Sequence, residues 1–275
     1  MKKSRSSPLG RVLMGIVYLF LYAPIFVLIV FSFNSSKSRS VWTGFTLDWY
    51  AQLFRDSSIL SSLGTTLLVS VLSALIATVV GTVASVGFFN MRKRWSSPLL
   101  SINNIPVMNA DIVTGVSLCL AFVAAGSVLK FHLGFGTLLI AHITFNIPYV
   151  ILSVMPKLQQ MDRNLVDAAQ DLGCTWSQAF IKVILPEIMP GIVNGAIIAF
   201  TMSIDDFVIS YFTAGSKVQT LAMSIYSMTR KRISPKINAV STLLFLFVMI
   251  LLIIVNVRES RQASEQARRR LKAQQ

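Results

Sequence analysis

Six long runs of apolar residues, nearly free of charged side chains, constrain what this 275-residue chain can fold into. A transmembrane helix needs roughly 20 consecutive apolar residues to cross about 30 Å of hydrocarbon. The runs of this kind cover residues 12–33, 60–89, 99–125, 133–155, 187–212 and 238–257. Charged residues make up only 13% of the chain, which is roughly half their usual share in a soluble domain. The sequence therefore predicts an all-α, polytopic membrane protein with about six transmembrane helices.

The distribution of Lys and Arg predicts how these helices are oriented. With the N-terminus inside the cell, the inner segments carry 16 of the 25 basic residues and the outer segments carry nine. Because inner loops are enriched in basic residues, we expect both termini in the cytoplasm, although the outer cluster Arg230–Arg232 runs against this rule. The net charge of +14 then reflects the basic flanks of membrane helices and not a nucleic-acid-binding surface.

The start of the chain has an alternative interpretation, because Lys2, Lys3 and Arg5 precede an apolar run as they would in a secretory signal peptide. The run continues to Phe33, beyond the about 7–15 apolar residues of such a signal, and no small-residue cleavage site ends it. We therefore expect a retained first helix. The predicted organisation is a transmembrane domain over residues 1–257 and a cytoplasmic basic tail over residues 258–275.

The sequence contains no motif of an enzyme or of a metal site. A Walker A loop, an HExxH motif and a nucleophile elbow are all absent. His132 and His142 are too few and too far apart for a metal site. A disulfide between Cys119 and Cys174 is not expected, since the first lies in a predicted helix and the second in a predicted cytoplasmic loop. We expect a chain that is not an enzyme and that holds no cofactor or metal of its own.

The predicted cytoplasmic loop over residues 156–186 has a local pattern of helix, break and helix. Asp162 can cap the first helix, and Gly173 can end it in the left-handed conformation. Thr175 and Gln178 form a capping box for the second helix, and Pro186 ends that run or bends it into the fifth membrane helix. The apolar face of the first helix consists of Leu165, Ala168, Ala169 and Leu172. Since small residues allow close approach, we predict a docking helix.

The same loop resembles the EAA signature of ABC importer permeases. The matching positions are Asp167, Ala168, Ala169, Gly173, Val183, Leu185 and Pro186. Asp167 stands where the family has Glu, and Val183 stands where it has Ile, while the spacing agrees throughout. The resemblance implies a type I ABC importer permease fold in which this loop inserts into a cleft on the ATPase subunit. The loop then passes closure of the ATPase to the membrane helices.

Motifs spread over most of the chain resemble, within that family, the permeases of spermidine/putrescine importers and specifically their PotC-type subunit. The motifs are Phe31–Ser36, Asp111–Leu118, His142–Phe145, Ser203–Asp206 and Ser234–Ala239. The resemblance implies a polyamine permease of the bacterial cytoplasmic membrane that works by alternating access. It also implies partners: a second related permease, two ATPase subunits that use ATP and Mg²⁺, an extracellular polyamine-binding protein and membrane lipid.

Acidic residues inside the apolar runs agree with a cationic substrate. A carboxylate at the centre of a membrane helix costs about 2.5–3.5 kcal/mol, so such residues are rare and usually functional. We expect Asp111, which lies 12 residues into its run, near the membrane midplane, and Asp205 and Asp206 nearer the outer surface. The ring of Tyr149 can add cation–π attraction for ammonium groups. These four residues are the candidate substrate path.

The two adjacent aspartates cannot face the same way, because neighbours on a helix differ by about 100°. Asp206 shares a polar stripe and is expected to face a water-lined path, whereas Asp205 is expected at a helix contact. The stripe also holds Ser203, Ser210 and Thr213. A second stripe, on the fourth run, holds His142, Asn146, Tyr149 and Ser153. The alternative for all these groups is a hydrogen bond to a neighbouring helix without a role in transport.

Two further functions stay open at this point. One is the same permease architecture with a different small solute, and the other is a membrane scaffold or sensor that does not transport. We also expect interfacial elements over residues 34–59 and 219–230, and a packing surface at Gly191 and Gly195 that can face a partner permease.

Overall fold

The chain folds almost entirely into helices in the computed structural model, which describes residues 8–36, 41–162, 164–231, 236–250, 252–253 and 257. The helices are α1 (Pro8–Phe31), α2 (Asp48–Arg55), α3 (Ser57–Asn90), α4 (Lys93–Met108), α5 (Asp111–Leu129), α6 (Phe135–Gln160), α7 (Asn164–Asp171), α8 (Trp176–Ala179), α9 (Leu185–Asp205), α10 (Val208–Thr213), α11 (Leu221–Lys231) and α12 (Lys236–Ile250). A π-helical turn over Phe180–Ile184 joins α8 to α9. The prediction of an all-α chain is confirmed.

Five helical runs in the described part of the chain are long and apolar enough to cross a membrane. They are Gly10–Phe31, Ser57–Asn90, Asp111–Leu129, Phe135–Gln160 and Trp176–Asp205, with mean hydropathy between 1.8 and 2.6. Helix α12 is a shorter apolar helix. This set agrees with a polytopic membrane protein of about six spans. The predicted basic tail, residues 258–275, lies outside the described residues.

Two of the predicted spans are interrupted in the structure. Residues 99–125, predicted as one helix, are divided between α4 and α5, because Asn109 and Ala110 are extended. Pro106 lies in the last turn of α4 and has no N–H to donate to the preceding turn, which favours a helix end there. Residues 187–212 are divided in the same way between α9 and α10, with an extended Asp206 at the break.

The described residues form two compact units, and each has its own contacts. The first is built from the segments Met1–Leu60 and Ile225–Ile254. In it, the indole N–H of Trp49 donates to the carbonyl of Asn34 over 2.7 Å, and the hydroxyls of Ser32 and Tyr50 are 2.7 Å apart. Trp49 is buried, so α2 is fastened to the end of α1.

The second unit, built from the segment Ser61–Ser224, has α6 as its packing centre. A Cβ added at Gly81 of α3 would lie 2.8 Å from the Cβ of Val150, and one at Gly195 of α9 would lie 3.1 Å from the Cα of Val150. A Cβ at Gly191 would lie 2.8 Å from the carbonyl oxygen of Ser153. The glycine pair of α9 therefore packs inside this chain, because only a residue without a side chain allows the two backbones to approach so closely.

Replacement of Gly191 by Ala tests this packing. We expect Gly191→Ala to cost about 1–3 kcal/mol, because the new methyl group meets the backbone of Ser153 and Val154, which cannot move aside as the nearby side chain of Lys157 can. The melting temperature of the detergent-purified protein measures the effect.

Gly87→Ala is the matched control, because a Cβ at Gly87 of α3 meets no atom within 4 Å. We expect it to leave the melting temperature unchanged or slightly higher, since Ala is a better helix former than Gly by about 1 kcal/mol. Equal melting temperatures for the two variants would contradict the close approach of α9 and α6.

Candidate functional site

The coupling segment, residues 162–186, begins with helix α7, whose two ends are closed by local hydrogen bonds. The carboxylate of Asp162 accepts the backbone N–H of Asn164 over 3.0 Å. At the other end Gly173 has a φ of +85°, and its N–H donates to the carbonyl of Gln170 over 2.8 Å. The N–H of Cys174 donates to the carbonyl of Ala169 over 3.0 Å, which completes a Schellman motif. The predicted cap and left-handed end are both confirmed.

The second half of the coupling segment is continuous with a membrane-spanning helix. Thr175 and Gln178 form the predicted capping box, with N–H to side-chain distances of 3.0 Å and 3.4 Å. The π-helical turn follows, and the N–H of Leu185 donates to the carbonyl of Phe180, five residues earlier. Pro186 has no N–H to donate, so the wide turn falls where the regular ladder is already interrupted. Pro186 therefore bends the run into α9 and does not end it.

The exposure of the seven signature positions divides them into two groups. Ala169 is buried, and Val183 and Leu185 are half-buried. The exposed positions are Asp167, Ala168, Gly173 and Pro186. The predicted apolar face of α7 is therefore divided: Ala168 is exposed, whereas Ala169 packs on the chain, because the helix turns by about 100° per residue.

An apolar face of α7 points away from the chain. It comprises Leu165, Ala168 and Leu172, and the side chain of Leu172 is 87% exposed. A fully exposed leucine beside a small residue leaves apolar area in water that a partner protein can cover.

Asp167 also lines a cavity of about 1060 Å³ within the second unit. The cavity lies between α7, the C-terminal ends of α3 and α6, and the start of α4. Arg92 and Lys93, at the beginning of α4, lie on its wall, together with Trp176 of α8. The sequence offered no signal for this arrangement, since the basic residues are more than 70 positions away from Asp167.

Asp111 occupies a different position from the one expected. It is the first residue of α5 and is exposed, so the expected site 12 residues into a continuous helix is wrong. The break before it changes its chemistry, because a carboxylate in the first turn of a helix is stabilised by the helix dipole. The free-energy cost of a charged carboxylate at this position is therefore lower than it would be in the middle of a membrane helix.

Asp206 lies in the break between α9 and α10, where its carboxylate caps the following helix. One carboxylate oxygen accepts the N–H of Ile209 over 3.1 Å and the other accepts the N–H of Ser210 over 2.8 Å. Asp205, the last residue of α9, is exposed. Of the two neighbours, Asp206 is thus held by backbone donors, whereas Asp205 is available to the surroundings, which reverses the expected assignment.

The structure brings the four candidate residues of the substrate path into one region of the second unit. Asp111 interacts electrostatically with both Asp205 and Tyr149. Asp205 also interacts with its neighbour Asp206. Helix α5 packs on α10, and a Cβ at Gly115 of α5 would lie only 3.4 Å from a backbone oxygen of α10. We call the residues Asp111, Tyr149, Asp205 and Asp206 the acidic cluster.

A buried polar network lies directly behind the acidic cluster. His142 of α6 is 1% exposed, and its ring nitrogens lie 2.6 Å from the hydroxyl of Ser203 and 3.0 Å from the hydroxyl of Ser210. The hydroxyl of Ser203 is 3.1 Å from that of Ser73 on α3, and the side-chain amide of Asn146 donates to Ser73 over 3.3 Å. The polar stripe on the fourth apolar run included His142 and Asn146, but nothing in the sequence indicated that Ser73 would join them.

Comparison with protein sequences assigns the chain to a transport family. Residues 77–259 match the family described as binding-protein-dependent transport system inner membrane component. The chain is 38% identical over 241 residues to the putrescine transport system permease protein PotI of Escherichia coli (strain K12), covering 86% of each chain. It is 36% identical over 249 residues to the spermidine/putrescine transport system permease protein PotC of the same strain, covering 89% of this chain and 93% of PotC.

Solved structures agree on the fold. A bacterial ABC transporter involved in the import of the acidic polysaccharide alginate has a TM-score of 0.69 at 15% identity, covering 92% of this chain and 94% of that one. The MetNI methionine ABC transporter in an inward-facing conformation has a TM-score of 0.60 at 19% identity, covering 79% and 99%. Both have the permease fold of ABC importers.

The family match extends over most of the chain, and the relatives named above are permease subunits of importers and not enzymes. The chain is homologous to these transport subunits, and it belongs to the family of binding-protein-dependent transport system inner membrane components.

Proposed function

We propose that this chain is the permease subunit of an ATP-driven polyamine importer for spermidine and putrescine. The observation that carries the proposal is the acidic cluster, in which Asp111 is within electrostatic range of Tyr149 and Asp205, and Asp205 is within range of Asp206. Helices α5, α9 and α10, which carry or flank the carboxylates, contain no Lys or Arg. The region is therefore suited to a cation that carries more than one ammonium group.

The chemistry of the cluster fits a flexible polycation. Asp205 is exposed, so its carboxylate can form an ion pair with an ammonium group of the substrate. The ring of Phe207, which directly follows Asp206, has its centroid 5.5 Å from that of Tyr211. Aromatic faces attract ammonium groups by about 0.5–2 kcal/mol, depending on desolvation. Carboxylates and rings together provide weak, repeated sites, which suits passage better than a single tight site.

The coupling segment supports an ATPase partner. Its exposed face at Leu165, Ala168 and Leu172 is apolar. Because local hydrogen bonds close both ends of α7, the helix can move as a rigid unit when the ATPase moves. Two ATPase subunits would use ATP and Mg²⁺, and a second permease would complete the path. An extracellular polyamine-binding protein would deliver the substrate on the opposite side of the membrane from α7, with both termini of this chain in the cytoplasm.

Transport would follow alternating access. ATP binding closes the ATPase pair, α7 moves with it, and the helices that carry the acidic cluster open outward to receive the polyamine. Hydrolysis returns them to the inward-open arrangement. An anionic substrate is disfavoured, because it would meet carboxylates without compensating basic residues on α5, α9 and α10.

Asp205→Asn tests the substrate class. We expect uptake of radiolabelled spermidine and putrescine, by cells that express the whole system, to fall at least about tenfold, because the exposed charge that attracts ammonium groups is lost. Asp48→Asn is the control, since Asp48 is an exposed aspartate of α2 in the other unit. Unchanged uptake in Asp205→Asn would remove that residue from the path, and no polyamine uptake by the wild type would contradict the substrate.

Leu172→Glu tests the coupling surface. We expect the retention of the ATPase on the affinity-purified permease to fall about tenfold, because a charge replaces an apolar contact that must be buried on docking. The fold of the permease should be unaffected, since Leu172 is almost fully exposed. Gln170→Glu adds the same charge two positions away at another exposed site and should retain the ATPase. Equal retention by both variants would place the docking surface elsewhere.

A further inference from the structure

A single buried histidine joins the two sides of the break between α9 and α10. Ser203 precedes the break and Ser210 follows it, and the ring of His142 lies between their hydroxyls. The Nε2 atom of the same ring is 3.5 Å from a carboxylate oxygen of Asp206, inside the break itself. Ser203, Asp206 and Ser210, which lie before, inside and after the break, are thus gathered around one side chain of α6.

We propose that His142 is a positioning residue for substrate recognition, which holds the break in the conformation that leaves Asp205 exposed toward Asp111. The inference rests on the proposed function, because it assigns a role to Asp205 in binding a polycation. His142 itself is buried and does not touch the substrate.

Imidazole is suited to this role because it is a rigid ring with polar atoms on two edges. A serine hydroxyl can donate or accept, so both contacts form whichever nitrogen carries the proton. The contacts therefore persist in either tautomer. A glutamine has its two polar atoms at one end and cannot span two hydroxyls on opposite sides of the ring.

Hydrogen bonds that involve α3 also hold the break in place. Ser73 of α3 contacts Ser203, and Asn146, one turn after His142 on α6, donates to Ser73. With Ser203 held by two helices and Ser210 held by His142, Asp206 remains close to the free N–H groups of α10 and caps them. Because Asp206 is turned toward these donors, the adjacent Asp205 projects in another direction and stays exposed.

The test compares His142→Gln, Ser210→Ala and Thr144→Ala in the complete transporter. Thr144 is an exposed residue of α6 and serves as the control. Ser210→Ala removes one contact of the ring and keeps His142, so it tests the same proposal if His142→Gln folds poorly. The measurements are the KM and maximal rate of spermidine uptake per folded complex, the melting temperature, and hydrogen exchange of the backbone over residues 206–213.

The proposal predicts a KM raised about tenfold in His142→Gln and less in Ser210→Ala, with faster exchange over residues 206–213 and no change in Thr144→Ala. It also predicts that His142→Gln has little further effect on KM when Asp205 is already Asn, because the histidine acts through that residue.

A lower amount of folded protein with an unchanged KM and unchanged exchange would overturn the proposal and leave a purely structural histidine. Additive effects of His142→Gln and Asp205→Asn on KM would overturn it as well. If the wild type imports no polyamine, the proposed function fails, while the exchange over residues 206–213 still decides whether His142 fixes the break.

Discussion

The close approach of α3 and α9 to α6 is the contact on which the second unit depends. Val150 of α6 lies between Gly81 and Gly195, each of which lacks the side chain that would separate the helices. Apolar surface contributes little to helix association in lipid, because the lipid is equally apolar, so the packing must come from close van der Waals contact. The glycines allow that contact, and the same approach brings Ser73, Asn146 and Ser203 within hydrogen-bonding distance.

The polar residues of this unit show how helices of an apolar protein can be interrupted. A break frees N–H groups that would be costly to leave unpaired in a membrane. At the α9–α10 break the carboxylate of Asp206 takes two of these donors, and at the α4–α5 break Asp111 stands at the start of the new helix. The interruptions and the acidic residues therefore depend on each other. The helix starts stabilise the carboxylates, and the carboxylate of Asp206 accepts N–H groups that the break leaves without a helical partner.

The coupling segment and the acidic cluster are connected through α9. The helical run from Trp176 to Asp205 extends from the coupling segment to the edge of the cluster. Its start packs on α7, and its end is held by the network around His142. A displacement of α7 can therefore reach Asp205 through one helix, which is the physical link that a coupled transporter needs.

Local rules were sufficient for the apolar runs, for the all-α class and for the helix ends of the coupling segment. The caps at Asp162, Gly173 and Thr175 depend on hydrogen bonds between residues within a few positions of each other, so the sequence alone predicts them. The family signature was recognisable for the same reason, because its seven positions lie in one short segment.

The breaks and the buried network required the tertiary structure. The apolar runs over residues 99–125 and 187–212 are continuous and did not indicate where a helix would be interrupted. Pro106 was not a sufficient signal, because membrane helices often tolerate a proline. The contacts of His142 join residues 61 and 68 positions apart, and that between Ser73 and Ser203 spans 130. The sequence by itself determined that this chain is a membrane-spanning permease, and it located the segment that resembles the family signature. Only the packing of α3, α5, α9 and α10 with α6 decided which acidic residues are exposed, because the direction of a side chain at a break depends on the neighbours that hold the backbone.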